Sequence, residues 1–361
     1  MNISNHVQNY DENAAMTGLE AEMVRSAAQS FATTESPLTV VRAAEAGDWS
    51  LANQSWEKLA QLGWLEILQY AETESEGLIS ACVIAEELGR SAYPLPFAEV
   101  AVLALPLLAE YAQNKVDVES FNLGTKRVAF AIPSVGLPTK LERLAALDSD
   151  HVWIANQLNE AELLLVPTLH NGQPAIALIN KPVLGWSSSP MPDLTNNAYS
   201  RISTDDLANA EYIPVQWQSL AKAFDHFRLV TCAYIVGLSS QATDIAVEYA
   251  KERIAFDKPI GSFQAVQHRL AESALELSAA HLLVREASVT GDRNQVAIAC
   301  IQTCEAGKKS TFTAQQIWAG MGYTMEVDVQ LFFRRARAYQ LLLGTPWELR
   351  ERVWNEVVPH H

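Results

Sequence analysis

Few side chains in this sequence have the spacing that catalytic or metal-binding groups usually show. Cys300 and Cys304 lie one helical turn apart, but no histidine or second cysteine pair stands near them, so packing inside a helix is favoured over a zinc site. The histidines on the predicted long helices also have no metal-ligand partners: His226, His268 and His281. We therefore expect no metal site.

The turn RIAFDKPIGSFQ, residues 253–264, holds a guanidinium and an amide eleven residues apart. Each has an ordinary structural explanation when it is taken alone, because an arginine at a helix end stabilises the helix dipole and Gln264 can be a surface amide. Gly320-Met321-Gly322 is not a dinucleotide fingerprint, since it lacks a third glycine and a preceding strand. Asp225 stands one turn before Arg228, where it is either a structural cap or a base facing the same cleft as that arginine.

Helices are predicted on both sides of a β region. In the first 120 residues the apolar spacing predicts one helix that ends at Gly63, a second over Leu78–Leu88 with Gly89 after it, and a third over Phe97–Tyr111. Short β-type runs follow: Arg127–Ile132, His151–Ala155, Leu163–Val166 and Ala175–Ile179. Long helices then return: Phe224–Arg253, one after Pro259-Ile260-Gly261-Ser262, Asn294–Gly320, Val327–Leu343 and a short one after Pro346.

This order predicts an α+β multidomain protein. We expect an N-terminal helical domain over residues 1–122, a small middle β domain over 123–208, and a C-terminal long four-helix bundle over 209–361. The 361 residues are 49% apolar and can bury a large core.

Charge and hydropathy exclude several classes of partner. The net charge of −16 lies within residues 1–218, which opposes binding to nucleic acid or to an anionic membrane. The longest apolar candidate, Ala98–Ala112, is interrupted by Glu99, Pro106 and Glu110 and is too short to span a bilayer. The first seventeen residues do not resemble a signal peptide, and four cysteines are too few for a disulfide framework. We therefore expect a cytoplasmic protein.

Three segments resemble the acyl-CoA dehydrogenase flavoprotein family. Arg253, Phe256, Pro259, Ile260 and Gln264 match the family turn R-x-x-F-G-x-P-I-x-x-x-Q, with Asp257 in place of its glycine, a residue that tolerates positive φ. Residues 315–324, QQIWAGMGYT, are similar to the family segment Q-x-x-G-G-x-G-[YF]-t, with Ala319 in place of the first glycine. Residues 56–64 and 86–90 resemble the family's W-x-x-L-x-x-L-G-W and E-E-L-G-R stretches.

The resemblance implies FAD-dependent α,β-desaturation of an acyl-CoA thioester. A carboxylate removes the α-proton while the β-hydrogen passes as hydride to the flavin. Arg253 would then bind the flavin pyrophosphate and Gln264 the ADP portion of a neighbouring subunit's FAD, which implies an oligomer. The remaining cofactor-binding residues that the resemblance implies are Phe256, Gln316, Ile317, Ala319, Gly320, Gly344 and Thr345.

The catalytic base of the family is missing from both of its usual positions. Leu343 stands where many members have the glutamate of a Y-E-G-T loop, and Phe227 stands where others carry the base before an arginine. The flavin-ring segment T-E-P-x-x-G-S-D is replaced by AFAIPSVG, residues 129–136. The loss of a positioned base typically costs about 10²–10⁴-fold in rate, so a second protein is expected to supply it.

A site divided in this way between two proteins resembles that of the heteromeric α2β2 acyl-CoA dehydrogenases that bacteria use on steroid side-chain CoA thioesters. The sequence therefore predicts a subunit that completes a partner's FAD site in a tetramer, with an electron-transfer flavoprotein as a further possible partner. Two alternatives stay open. The chain is either a complete homo-oligomeric enzyme with Asp225 as a displaced base, or a flavin-free scaffold or regulatory protein that keeps the fold.

Overall fold

The computed structural model describes residues 10–145, 152–203 and 205–357, and it has the expected order of helices, strands and helices. The N-terminal helices are α1 (Tyr10–Glu35), α2 (Leu38–Glu45), α3 (Ser50–Gln61), α4 (Glu74–Arg90), α5 (Leu105–Tyr111) and α6 (Val118–Asn122). Gly63 ends α3 as predicted, because its φ of 74° is the left-handed conformation in which helices commonly stop.

The helix predicted over Phe97–Tyr111 is regular only in its second half. Glu99–Ala104 form a π-helix, and α5 follows it with Pro106 in its first turn. Pro106 has no N–H to give to the carbonyl of Val102, so the α-helical hydrogen-bond pattern cannot continue through this point. Single π-helical turns are frequent at functional sites, and Glu99 begins this one.

The middle region contains two four-stranded sheets, ordered β1-β4-β5-β8 and β2-β3-β7-β6. Their strands are β1 (Val128–Phe130), β2 (Ile132–Pro133), β3 (Trp153–Asn156), β4 (Leu163–His170), β5 (Gln173–Asn180), β6 (Ser189–Pro190), β7 (Tyr199–Arg201) and β8 (Glu211–Pro214). Helix α7 (Leu141–Ala145) lies between β2 and β3. Small side chains from both sheets pack together, among them Ala129, Ala155 and Ala177. Because β8 pairs with β5, the β region extends past position 208 to Pro214.

The C-terminal region is helical, with α8 (Trp217–Glu252), α9 (Gln264–Thr290), α10 (Arg293–Ile317), α11 (Val329–Leu342) and α12 (Pro346–Val357). A two-residue hairpin of β9 (Ile254–Ala255) and β10 (Lys258–Pro259) joins α8 to α9. Helix α8 is long and apolar enough to cross a membrane, but 72% of its most apolar stretch is buried inside the protein. It is therefore the core helix of the bundle.

Helices α4 and α8 approach so closely that their backbones touch. A Cβ atom at Gly89 would lie 2.1 Å from the carbonyl oxygen of Tyr234, and one at Gly237 would lie 1.9 Å from that of Glu86. The sequence placed Gly89 after the helix, and this was wrong, because α4 continues to Arg90 and the glycine serves the helix crossing. This contact fixes the N-terminal helices on the bundle.

We expect Gly237→Ala to destabilise the protein by about 3 kcal/mol or more, because the added methyl group overlaps a backbone oxygen that cannot move alone. Chemical unfolding in urea measures the change. Gly320→Ala is the matched control, since a Cβ atom there would have no heavy atom within 4 Å. Equal stability of the two variants would contradict the helix crossing described here.

Candidate functional site

The predicted nucleotide-binding turn lies at one end of the bundle, which we call the bundle end: residues 253–264 together with residues 316–323. Phe256 and Asp257 have φ of 53° and 60°, as the central residues of a tight hairpin turn require, so the predicted tolerance of Asp257 for positive φ is confirmed. Phe256 is 88% exposed. Arg253 and Gln264 are also exposed, and their side chains form no hydrogen bond or ion pair within the residues described.

The second predicted segment lies beside this turn. Trp318 stacks on Tyr249, the last aromatic residue of α8, with ring centroids 3.9 Å apart. Gln316 is exposed and accepts a hydrogen bond from Arg269 of α9. These contacts bring the turn and the segment to one surface.

The backbone of the second segment leaves free space in which a ligand can approach closely. Ala319 has φ of 50°, and Gly320 has no heavy atom within 4 Å of the place where a Cβ atom would lie. Ile317 is different, because its side chain is buried in the core and is 9% exposed. Its backbone alone can face a ligand, so the prediction for Ile317 does not extend to its side chain.

Two of the predicted cofactor residues, Gly344 and Thr345, lie elsewhere. They follow α11 and pack near Arg228, while Arg253 follows the C-terminal end of α8, roughly 36 Å of helix away. One bound dinucleotide cannot touch both places within a single chain. The predicted cofactor residues therefore belong to two different half-sites.

The half-site at Gly344 is closed by the protein's own backbone. A Cβ atom at Gly136 would lie 2.4 Å from the amide nitrogen of Gly344, so the loop of the β region touches the loop after α11 directly. Thr345 is engaged as well, because its hydroxyl oxygen accepts the N–H of Glu348 at 3.3 Å in the first turn of α12. The backbone of Gly344 and the hydroxyl of Thr345 are therefore both engaged by contacts within the chain.

Arg228 holds this closure in place. It is 0% exposed and donates to the carbonyl oxygens of Leu343 at 2.9 Å, Leu137 at 2.5 Å and Pro138 at 3.0 Å. Charge-assisted hydrogen bonds of this length are the strong ones. One guanidinium therefore joins α8, the β region and the loop after α11.

Asp225 is surrounded by three arginines. Its carboxylate accepts from Arg228 at 3.0 Å, from Arg293 at 2.7 Å and from both Nη atoms of Arg352 at 2.9 and 3.0 Å. Burial opposes ionisation, but these guanidinium groups outweigh it and hold the pKa of the carboxyl below its usual value. A carboxylate stabilised in this way is a poor proton acceptor, so the structure gives Asp225 the role of an ionic anchor.

The two residues that the sequence analysis placed at the family's base positions are apolar and buried. Leu343 and Phe227 are both 0% exposed and pack in the main core. The strand that would carry the ring contacts is also apolar, since Phe130 and Ile132 are each 1% exposed. No polar side chain of residues 129–133 can face a flavin ring.

A buried carboxyl group that the sequence analysis did not single out lies close by. Glu99 is 3% exposed and lines a cavity of about 20 Å³, room for about one water molecule. Tyr199 donates its hydroxyl to Oε1 of Glu99 at 3.4 Å. No basic side chain is among the described residues that line the cavity, and burial raises the pKa of Glu99 to about 7. In the sequence, the sign of such a group is a glutamate inside an apolar stretch, Ala98–Ala112.

This cavity is one helical turn from both base positions. Thr231, whose hydroxyl has no hydrogen-bond partner among the described residues, lines it four residues after Phe227 on α8. Tyr339 lines it four residues before Leu343 on α11. Glu99 therefore lines a cavity whose wall is about one helical turn from Phe227 and from Leu343.

The two half-sites differ in whether FAD fits them. The bundle end offers a guanidinium, two amides and open backbone, which suit phosphate and adenosine groups. The half-site at Gly344 offers hydrocarbon and a closed backbone contact, and it does not fit a flavin ring. Within the described ranges, no group of three or more histidine, cysteine or acidic residues could hold a metal ion.

Two sequence models of one family match the chain. They are the acyl-CoA dehydrogenase N-terminal domain over residues 19–116 and the acyl-CoA dehydrogenase C-terminal domain over residues 217–354. The chain belongs to the acyl-CoA dehydrogenase family, whose members are FAD-dependent oxidoreductases acting on CH–CH bonds. The predicted family and fold are thereby confirmed.

Individual relatives are similar over nearly the whole chain. Acyl-CoA dehydrogenase IpdE2 of Mycolicibacterium smegmatis is 28% identical over 351 residues, 94% of this chain and 99% of the relative. The steroid ACAD Tcur3481-Tcur3483 (G363A variant) aligns with a TM-score of 0.76 at 22% identity, covering 93% of this chain and 97% of the other. The ChsE4-ChsE5 complex from Mycobacterium tuberculosis aligns with a TM-score of 0.72 at 19% identity, covering 94% and 98%. These structures show the shared fold.

We expect Asp225→Asn to destabilise the protein by about 3 kcal/mol, because it leaves three guanidinium groups without their shared charge. Asp244→Asn is the matched control on the same helix. Asp244 is 56% exposed and pairs with Arg90 at the surface, where such pairs are worth about 1 kcal/mol or less. Urea unfolding near pH 7 compares the two, and a negligible effect at Asp225 would contradict the anchor.

We expect Glu99→Gln to stabilise the protein at pH 8.5 and to have little effect at pH 4. The folded-state pKa of about 7 lies above the usual 4.5, so stability falls as pH rises between these values, by roughly 3 kcal/mol in total. Glutamine cannot ionise and avoids this loss. Urea unfolding at both pH values measures the change in stability, and Glu72→Gln, at an exposed glutamate, is the control. A gain that is equal at the two pH values would show that Glu99 is not held neutral in the fold.

Proposed function

We propose that this chain is a partner-dependent subunit of an acyl-CoA dehydrogenase. Its bundle end completes the FAD site of a second subunit, and that subunit supplies the ring contacts and the catalytic base. The observation that carries the proposal is the difference between the two half-sites. Arg253 is exposed and has no ion-pair or hydrogen-bond partner for its side chain in the part of the chain that the structure describes, while Leu343 and Phe227 place buried hydrocarbon where a proton must be accepted.

FAD, when bound, accepts hydride from the β-carbon of an acyl-CoA thioester. This chain's contribution is to hold the nucleotide part of the cofactor. The Arg253 guanidinium pairs with pyrophosphate oxygens, and the side-chain amides of Gln264 and Gln316 bind the ADP portion. The open backbone at Gly320 lets the ligand approach closely. The reacting carbon atoms lie on the partner's side.

The comparisons support a two-component assembly without establishing one for this chain. A matched structure is named as the ChsE4-ChsE5 complex, and another is named as the Tcur3481-Tcur3483 steroid ACAD. We accordingly propose an α2β2 tetramer in the cytoplasm that acts on a lipid or steroid acyl-CoA thioester.

We expect the chain to hold no FAD when purified alone and to gain FAD when coexpressed with an acyl-CoA dehydrogenase paralogue encoded beside it. Arg253→Ala in the coexpressed assembly should lower the FAD content about tenfold or more, because the pyrophosphate loses its paired donors. Arg350→Ala, at an exposed arginine of α12, is the matched control. Flavin absorbance per protein chain is the measurement. A full complement of FAD on the lone chain, or no change in Arg253→Ala, would refute the proposal.

A second candidate function is a complete enzyme whose base is Glu99. The observation in its favour is a buried carboxyl whose pKa of about 7 suits a general base, in a cavity whose wall lies about one helical turn from Phe227 and Leu343. Glu99→Gln separates the two functions. It abolishes acyl-CoA oxidation if Glu99 is the base, and it leaves the turnover of the two-component assembly unchanged if the partner supplies the base.

A further inference from the structure

Helix α12 buries little of its surface in the protein. Among residues 346–355, whose side chains the structure describes, Leu349 is the one fully buried side chain, whereas α11, which is two residues longer, buries nine. Trp347 and Trp354 are 72% and 64% exposed. Helices in proteins draw most of their stability from an apolar face that packs on the core, so α12 is among the less stable elements of the molecule.

Two ion pairs attach α12 to the β region. Glu348 pairs with Arg143 of α7 at 3.0 Å, and Glu351 pairs with Lys140, just before α7, at 3.2 Å. The Oε2 atom of Glu348 also lies 4.0 Å from the place where a Cβ atom at Gly344 would be. The first turn of α12 therefore crosses the closed half-site at Gly344, from the loop after α11 to the β region.

Two further ion pairs attach α12 to the bundle. Arg350 pairs with Glu305 of α10 at 2.6 Å, and both side chains are more than half exposed. Arg352 donates from both Nη atoms to the buried carboxylate of Asp225, at 2.9 and 3.0 Å. Exposed ion pairs are worth about 1 kcal/mol or less and weaken with salt, so the pair with Asp225 is the strongest of the four.

The charge of Asp225 stays compensated when Arg352 leaves. Arg228 at 3.0 Å and Arg293 at 2.7 Å also donate to the same carboxylate, and Arg352 would enter water. Breaking a buried ion pair is most costly when it leaves an uncompensated buried charge, and here none remains. Helix α12 can therefore leave without strongly destabilising the helices beneath it.

We propose that α12 is a strap that closes the half-site at Gly344 and detaches as a unit while the bundle stays folded. Attached, it fixes the loop after α11 against the β region. Detachment frees the hydroxyl of Thr345 from the N–H of Glu348 and uncovers the part of the core on which Leu349 packs, so the half-site opens on one side. This opening needs neither FAD nor a partner subunit, and it goes beyond the proposed function.

Hydrogen–deuterium exchange of the full chain at pH 7, read by mass spectrometry over peptides of α11 and α12, tests the strap. We expect the amides of α12 to exchange about tenfold or more faster than those of α11, because α12 opens without unfolding the bundle. Raising NaCl from about 0.02 M to about 0.5 M should speed exchange in α12 about threefold or more, since salt screens its exposed ion pairs. The same salt should change exchange in α11 by less than about twofold.

Arg352→Gln should speed exchange in α12 about tenfold or more and leave α11 unchanged, because the strongest attachment is lost while Asp225 keeps two guanidinium partners. Lys309→Gln is the matched control and should alter neither helix, since Lys309 is an exposed cation of α10 that pairs with Glu276 of α9.

Equal exchange of α11 and α12 in the wild type would overturn the strap, because α12 would then open only together with the bundle. Equal acceleration of both helices by Arg352→Gln would do the same. Exchange in α12 that does not respond to salt would show that the ion pairs are not what holds the strap closed.

Discussion

A single buried guanidinium sets the geometry on which the rest of the cleft depends. Arg228 reaches from the core helix to three backbone carbonyls, two in the β region and one in the loop after α11. The acceptors are main-chain oxygens, so the contact fixes backbone positions. Asp225, with Arg293 and Arg352, then fixes the guanidinium and the terminal helix together. The β region and the bundle consequently form one rigid wall at this point.

The two half-sites of the chain show opposite physical chemistry. At the bundle end, polar groups are exposed and the hairpin has already adopted the positive φ angles that its turn requires. At the closed half-site, Leu343 and Phe227 are buried and apolar. A symmetric homodimer would join one surface that suits a nucleotide to another that excludes the ring. The second type of subunit that we propose would remove this mismatch.

The sequence predicted the fold and the family well because both depend on local patterns. The apolar spacing located α3, a long stretch without proline located α8, and Gly63 ended its helix. The turn from Arg253 to Gln264 kept the spacing of the family. The features that it missed depend on contacts between distant segments. Gly89 lies inside a helix where the backbone of Tyr234 comes too close for any larger residue. Asp225 is an ionic anchor because arginines from α10 and α12 reach it. The sequence analysis did not predict a role for Glu99, because the raised pKa of this carboxyl comes from its burial, which only the folded structure shows.

The strongly exposed aromatic side chains also affect how the chain behaves in solution. Phe256 and Trp347 are the kind of side chains through which unpartnered proteins aggregate, and the chain offsets them with a net charge of −16. Mutual repulsion between like-charged molecules keeps such a chain dispersed, and dissolved salt screens that repulsion within about 10 Å at 0.1 M. The excess of acidic residues in positions 1–218 thus opposes aggregation through these exposed side chains.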